Sequence, residues 1–81
     1  MAKPSPSHAG NPALVALGEA IRAVRVRSGI SQELLALNAG LDRSYMGGIE
    51  RGEHNVAIVN LVKIAAALGV RPSELLERSG Y

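Results

Sequence analysis

Apolar residues recur at three- and four-residue spacings along most of the chain, which is the periodicity of amphipathic helices. The first stripe consists of Leu14, Leu17, Ile21 and Val24. It predicts a helix that begins at Pro12, where the missing N–H costs nothing, and runs to about Ser28 before stopping at Gly29. Asn11 is a plausible cap for its start.

The stretch 31–52, SQELLALNAGLDRSYMGGIERG, divides into two short helices around a sharp corner. Ser31 and Asp42 are good N-caps, because a side-chain oxygen can accept from a free N–H of the first turn. Gly40 allows the left-handed backbone that such a corner requires. The stretch therefore predicts a helix-turn-helix, the motif that lays its second helix in the major groove of DNA.

Two more helices follow. One carries the stripe Ile58, Leu61, Ile64, Ala65 and Leu68 and ends at Gly69, and a short last helix opens at Pro72 and Ser73. The predicted fold is all-α, a compact five-helix bundle with a helix-turn-helix. We expect residues 12–79 to form its DNA-binding domain. Residues 1–11 are rich in Pro and Ser without apolar periodicity, so we expect a disordered N-terminal arm.

Composition narrows the function. The chain has 81 residues, 9 basic and 7 acidic, for a net charge of +2, and no cysteine. That charge is too modest for a protein that coats nucleic acid, and it fits a DNA binder whose basic residues lie on one face. The two histidines stand apart and no carboxylates pair in a cleft, so we expect no enzyme, no metal site and no cofactor. No apolar run approaches the ~18 residues of a membrane span, and residues 1–11 lack the apolar core of a signal peptide, so we expect a cytoplasmic protein.

Arg43, Ser44 and Tyr45 occupy the first turn of the second motif helix, the position from which a helix-turn-helix reads bases. Arg can donate two hydrogen bonds to a guanine edge, and Ser can bond a base or a phosphate. Tyr offers a ring for thymine methyl groups and a hydroxyl for a phosphate. The alternative is a solvated helix start, but the motif around these residues favours base reading.

The chain also resembles a known family. Residues 17–76 are similar to the Cro- and phage-repressor-type helix-turn-helix domain, through LGEAIRAVRVRSGISQELLALNAGLDRSYMGGIERG, NLVKIAAALGV and PSELL. The segment LDRSYMGGIERGEHN resembles, more narrowly, the controller proteins of restriction–modification systems. These are small homodimeric transcription factors that bind paired sites near their own promoters.

The resemblance implies roles at the DNA backbone. Gln32 matches a glutamine that contacts a phosphate, and Ser31 is expected to do so through its backbone N–H. His54 and Asn55 match loop positions near the backbone or the groove edge. Controllers often have Arg at the first of these positions, so we expect His54 to weaken the contact and to make it depend on pH. Arg51 is expected either to reach a phosphate or to remain in solvent.

The resemblance also implies that Arg25 and Glu50 form the ion pair that ties the first helix to the second motif helix. Two features depart from the family pattern. Gly47 and Gly48 lie inside the second motif helix, and we hypothesise that they let it sit close to the DNA backbone. Leu34 and Leu37 replace polar residues, and they are either scattered exposed side chains or part of a further contact surface.

A homodimer on a near-palindromic operator is the expected functional form, because one helix reads few bases. The expected dimer surface is at the C-terminal end and comprises Val62, Ala66, Val70, Leu75, Leu76 and Tyr81. The expected partners are double-stranded DNA and a second copy, with RNA polymerase or another protein left open. The alternative function is an antitoxin or adaptor that mainly binds another protein through Leu34 and Leu37.

Overall fold

The computed structural model describes residues 8–81, and this part of the chain forms helices and no strand. The helices are α1 (Pro12–Arg27), α2 (Gln32–Ala39), α3 (Arg43–Glu50), α4 (Ile58–Leu68) and α5 (Pro72–Arg78). They pack into a body of 30 × 29 × 21 Å, in which α1 contacts α3 and α5 while α2 contacts α3 and α4. The predicted all-α five-helix bundle is confirmed. No helix in residues 8–81 has the length and apolarity of a membrane span.

The predicted helix-turn-helix is built by its own capping residues. The Ser31 hydroxyl accepts from the N–H of Leu34 at 3.0 Å, and the Asp42 carboxylate accepts from the N–H of Tyr45 at 3.1 Å. Gly40 closes α2 in the left-handed conformation, with φ 69° and ψ 32°. These contacts satisfy N–H groups that a helix start leaves free, so both helix starts are set locally.

Aliphatic side chains from every helix meet in one core. The largest fully buried side chains are Ile21, Leu35, Met46, Ile49, Ile64 and Leu75. The assignment of Leu75 to a dimer surface is wrong, because α5 turns this side chain inward against the core and leaves it 0 % exposed. Its neighbour Leu76 is only partly buried and remains available to a partner.

Gly18 sets the distance between α1 and α3. A Cβ atom at this position would lie 2.5 Å from the carbonyl oxygen of Ile49 and 2.6 Å from that of Glu50. No larger residue fits there without moving one helix. Arg25 lies two turns further along α1, so the close approach at Gly18 brings the end of α3 within its reach.

The predicted N-terminal arm is described only from His8, and its first seven residues lie outside the described part of the chain. Residues 8–10 form a turn in which the His8 carbonyl accepts from the N–H of Asn11 at 3.0 Å. The N–H of Gly10 donates to the carbonyl of Gly52 at 3.1 Å, which fastens this turn to the end of α3.

Candidate nucleic-acid interface

A buried carboxylate holds α3 against α1. The Nε and Nη2 atoms of Arg25 donate to the two oxygens of Glu50 at 2.7 and 3.1 Å, so the pair is bidentate. The two side chains are 12 % and 3 % exposed. The ion pair that the family resemblance implied is therefore present, in the parallel geometry that is strongest for arginine and carboxylate.

The same carboxylate also reaches α2. The Gln32 amide donates to the Oε1 atom of Glu50 at 3.1 Å, and Arg25 Nη1 donates to the Ile30 carbonyl just before α2 at 3.1 Å. Glu50 thus joins α1, α2 and α3 through hydrogen bonds to its two oxygens. Because a buried charge is costly to leave unpaired, this network favours one relative placement of the helices.

Arg43 and Ser44 project from the first turn of α3, as predicted for base-reading residues. The Arg43 side chain is 63 % exposed, and Ser44 is partly exposed. Arg43 has a neighbour that the sequence did not indicate, because its Nε lies 3.4 Å from the Oε1 atom of Glu33 on α2. The sequence alone gives Glu33 only one role, as a negative charge in the first turn of α2 that interacts favourably with the helix dipole.

Tyr45 is partly exposed like Ser44, but its side chain also makes contacts within the bundle that the sequence did not indicate. Its ring packs against the core cluster, and its hydroxyl accepts from the Asn60 amide of α4 at 3.1 Å. The His54 ring lies beside it, with centroids 5.0 Å apart and planes tilted by 56°. The aromatic ring is large and apolar enough to be drawn against the bundle, although its hydroxyl still has a proton to donate.

His54 covers Gly48, which gives this glycine a role within the chain itself beside the hypothesised close approach to DNA. A Cβ atom at Gly48 would lie 2.5 Å from the Cδ2 and Nε2 atoms of the imidazole. The Nε2 atom is buried without a hydrogen-bond partner among the described residues. The missing side chain at Gly48 therefore makes room for the chain's own histidine. Gly47 is buried next to Gln32 and Arg51, each about 3 Å from where its Cβ would be.

Arg51 forms an ion pair with Glu53 in the loop after α3. Its Nε and Nη2 atoms donate to the Glu53 carboxylate at 2.8 and 3.1 Å. The hydrogen bond to Arg51 lowers the pKa of the Glu53 carboxyl below its usual value, and the same contact raises the pKa of Arg51. Arg51 thus enters any phosphate contact as half of an exposed ion pair. Asn55 and Ser31 are exposed at their predicted positions.

The structure brings the residues of α2 and α3 into one surface. Glu33 meets Arg43 at the start of α3, and Gln32 lies over Gly47 further along the same helix.

Three residues of this region were not identified from the sequence, namely Glu33, Glu53 and Asn60. For Glu53 the signal was available, since an Arg-Gly-Glu spacing places opposite charges two residues apart. Asn60 belongs to α4, and only the packing of the helices brings it to Tyr45.

Comparison with known proteins gives consistent matches. Residues 21–75 match the model of a helix-turn-helix family. The control protein C.BamHI of Bacillus amyloliquefaciens is 46% identical over 61 residues, which cover 74% of this chain and 75% of that protein. The restriction-modification controller protein C.AhdI of Aeromonas hydrophila superposes with a TM-score of 0.76 at 53% identity, over 76% of this chain and 94% of that one. The clp gene regulator ClgR of Corynebacterium glutamicum gives a TM-score of 0.82 at 28% identity, over 84% and 72% of the two chains.

The contact between Gly48 and His54 predicts a sign change in a double-mutant cycle. In the wild-type background, Gly48→Ala displaces the imidazole from the space beside α3 and lowers the free energy of unfolding. In a His54→Ala background, Gly48→Ala meets no ring. It then raises the free energy of unfolding by about 1 kcal/mol, the helix propensity difference between Ala and Gly. Urea unfolding followed by circular dichroism measures both. Equal effects in the two backgrounds would show that the ring does not occupy this space.

Proposed function

Because the chain belongs to the helix-turn-helix family of transcriptional regulators, we propose that it binds double-stranded DNA sequence-specifically as a homodimer on a near-palindromic operator. The matched relatives are regulators rather than enzymes, in agreement with the expectation from sequence. Two of them are a control protein and a restriction-modification controller protein, and we extend that role to this chain. Such a regulator acts on DNA in the cytoplasm, the location that we propose.

The observation that carries this proposal is the presentation of Arg43. Its side chain is exposed at the start of α3, while the end of the same helix is fixed by the buried Glu50. A base-reading arginine must arrive at the groove in a defined orientation, because guanine offers two acceptors at fixed positions. Ser44 beside it adds a donor and acceptor for a base or a phosphate.

Neighbouring groups supply contacts to the DNA backbone. Ser31 lies at the start of α2, where backbone N–H groups suit an anion, and Gln32 lies over α3. Asn55 is exposed in the loop after α3. We assign Tyr45 and His54 a smaller role than the sequence suggested, because their rings lie beside each other and the tyrosine hydroxyl already accepts a hydrogen bond from Asn60. Such phosphate contacts fix register and carry no sequence information themselves.

The role of Arg43 is tested after an operator has been selected from random duplexes. Arg43→Ala should lower affinity for that operator by about 1–3 kcal/mol and relax selectivity at one base pair, with little effect on unrelated DNA. Arg22→Ala, which removes an exposed arginine from α1, is the matched control and should leave selectivity unchanged. Electrophoretic mobility shifts at fixed salt measure both. An operator affinity that Arg43→Ala leaves unchanged would contradict base reading by this residue.

An apolar stripe on α4 supports the homodimer. Val59 and Val62 are 63 % and 49 % exposed, and Ala66 is exposed one turn further along the same helical face. At the C-terminal end, Leu76 is partly buried and Tyr81 is 71 % exposed. We propose that a second copy covers this stripe, because a site with two half-sites about 34 Å apart requires two α3 helices in one assembly.

Val62→Asp should break this dimer, because it puts a charge into the apolar contact. We expect a monomer in analytical ultracentrifugation and at least a tenfold loss of affinity for a two-half-site duplex. Val26→Asp introduces the same charge at a valine of α1 that is 56 % exposed, and the protein with this substitution should remain a dimer in solution. A Val62→Asp protein that remains dimeric would place the interface elsewhere.

Leu34 and Leu37 favour a second candidate function, an antitoxin or adaptor. Both lie on α2, and they are 40 % and 74 % exposed. Exposed leucines on one helix suit a protein partner, which includes RNA polymerase for a regulator. A stable complex with a co-purified protein that is lost on Leu37→Lys, with operator binding intact, would favour this role.

A further inference from the structure

One carboxylate at the interface has no role in the proposed function. Glu33 lies in the first turn of α2, its side chain is 73 % exposed, and its Oε1 atom is 3.4 Å from Nε of Arg43. Negative charge in the first turn favours any helix. The dipole alone does not explain a carboxylate that lies against the arginine proposed to read DNA, since DNA is itself an anion.

The orientation of the contact gives Glu33 a specific effect. It lies at the Nε edge of the guanidinium, and the N–H donors on the terminal nitrogens of Arg43 remain for another partner. A phosphate brought to these donors would place a second negative charge close to Glu33. A guanine edge brings two acceptor atoms without a formal charge. The carboxylate therefore opposes a phosphate at Arg43 more strongly than a base.

We propose that Glu33 is a specificity-determining residue, which holds Arg43 for base edges and disfavours its use as a general phosphate contact. The inference rests on the proposed DNA-binding function and deepens it. The other arginine of this surface follows the same pattern, since Arg51 is held by both oxygens of Glu53. With arginines at both ends of α3 paired to carboxylates and a net charge of only +2, attraction to DNA of any sequence is kept low.

Glu33→Gln tests the proposal, because it keeps the size of the side chain and removes its charge. Fluorescence anisotropy of the full chain with the selected operator and with a scrambled duplex, over a series of salt concentrations, gives both affinities. We expect affinity for the scrambled duplex to rise by about threefold and the operator-to-scrambled ratio to fall by about the same factor, the range of an exposed ion pair. If Arg43 gains one phosphate, the salt slope for the scrambled duplex steepens by about 0.9.

Two controls separate this effect from a change in net charge. Glu74→Gln removes the same charge from another exposed pair, with Arg78 on α5 at 4.0 Å, and should leave the ratio unchanged. In an Arg43→Ala background, Glu33→Gln should no longer alter the ratio, because the arginine through which it acts is gone. A ratio that still falls in that background would mean that Glu33 acts on DNA directly, which overturns the proposal.

The remaining outcomes separate this inference from the function on which it rests. A selective wild-type protein whose ratio is unchanged by Glu33→Gln overturns the role of Glu33 alone. An equal gain in affinity for both duplexes also overturns the role of Glu33, because such a gain reflects only the lost negative charge. A wild-type protein that binds no duplex selectively overturns the proposed function and this inference together.

Discussion

The Glu50 carboxylate is the constraint on which the arrangement of the first three helices depends. It is 3 % exposed, and it accepts hydrogen bonds from Arg25 of α1 and from Gln32 of α2. The close approach at Gly18 makes this possible, because any Cβ there would collide with the last carbonyl groups of α3. A buried ion pair contributes little net stability compared with apolar packing, but it strongly penalises arrangements that separate its members. Its main effect here is to fix the orientation of α3 relative to α1.

Fixing one end of α3 determines what the other end presents. Arg43 and Ser44 are left outside the bundle, whereas Tyr45 is drawn in and held by Asn60 and His54. The surface therefore combines exposed polar groups at the helix start with a packed aromatic pair behind them. The two arginines at the ends of α3, Arg43 and Arg51, are both paired with carboxylates, so charge at this surface is arranged in ion pairs and not accumulated. Such a surface suits a protein that selects among DNA sequences more than one that binds all DNA alike.

Much of the fold was predictable because its determinants are local. Ser31, Gly40 and Asp42 specify the corner of the motif through contacts a few residues away, and the apolar spacing identifies the helices. The errors concern contacts between distant elements. In the pair Leu75 and Leu76, spacing alone does not decide which side chain enters the core of so short a helix. The partner of Gly48 comes from the following loop, and the partner of Tyr45 comes from α4, so neither is visible in the periodicity of α3.

The central claim is that the Arg25–Glu50 pair holds α3 in place, and the unfolding free energy of Arg25→Ala tests it most directly. Removing Arg25 leaves a buried carboxylate without its cation and should cost roughly 3–5 kcal/mol, a large share of the stability of a domain this small. Arg22→Ala, on the exposed face of α1, should cost far less. The account predicts a large fall in the thermal midpoint of Arg25→Ala beside an almost unchanged Arg22→Ala. A midpoint that Arg25→Ala does not change would contradict it.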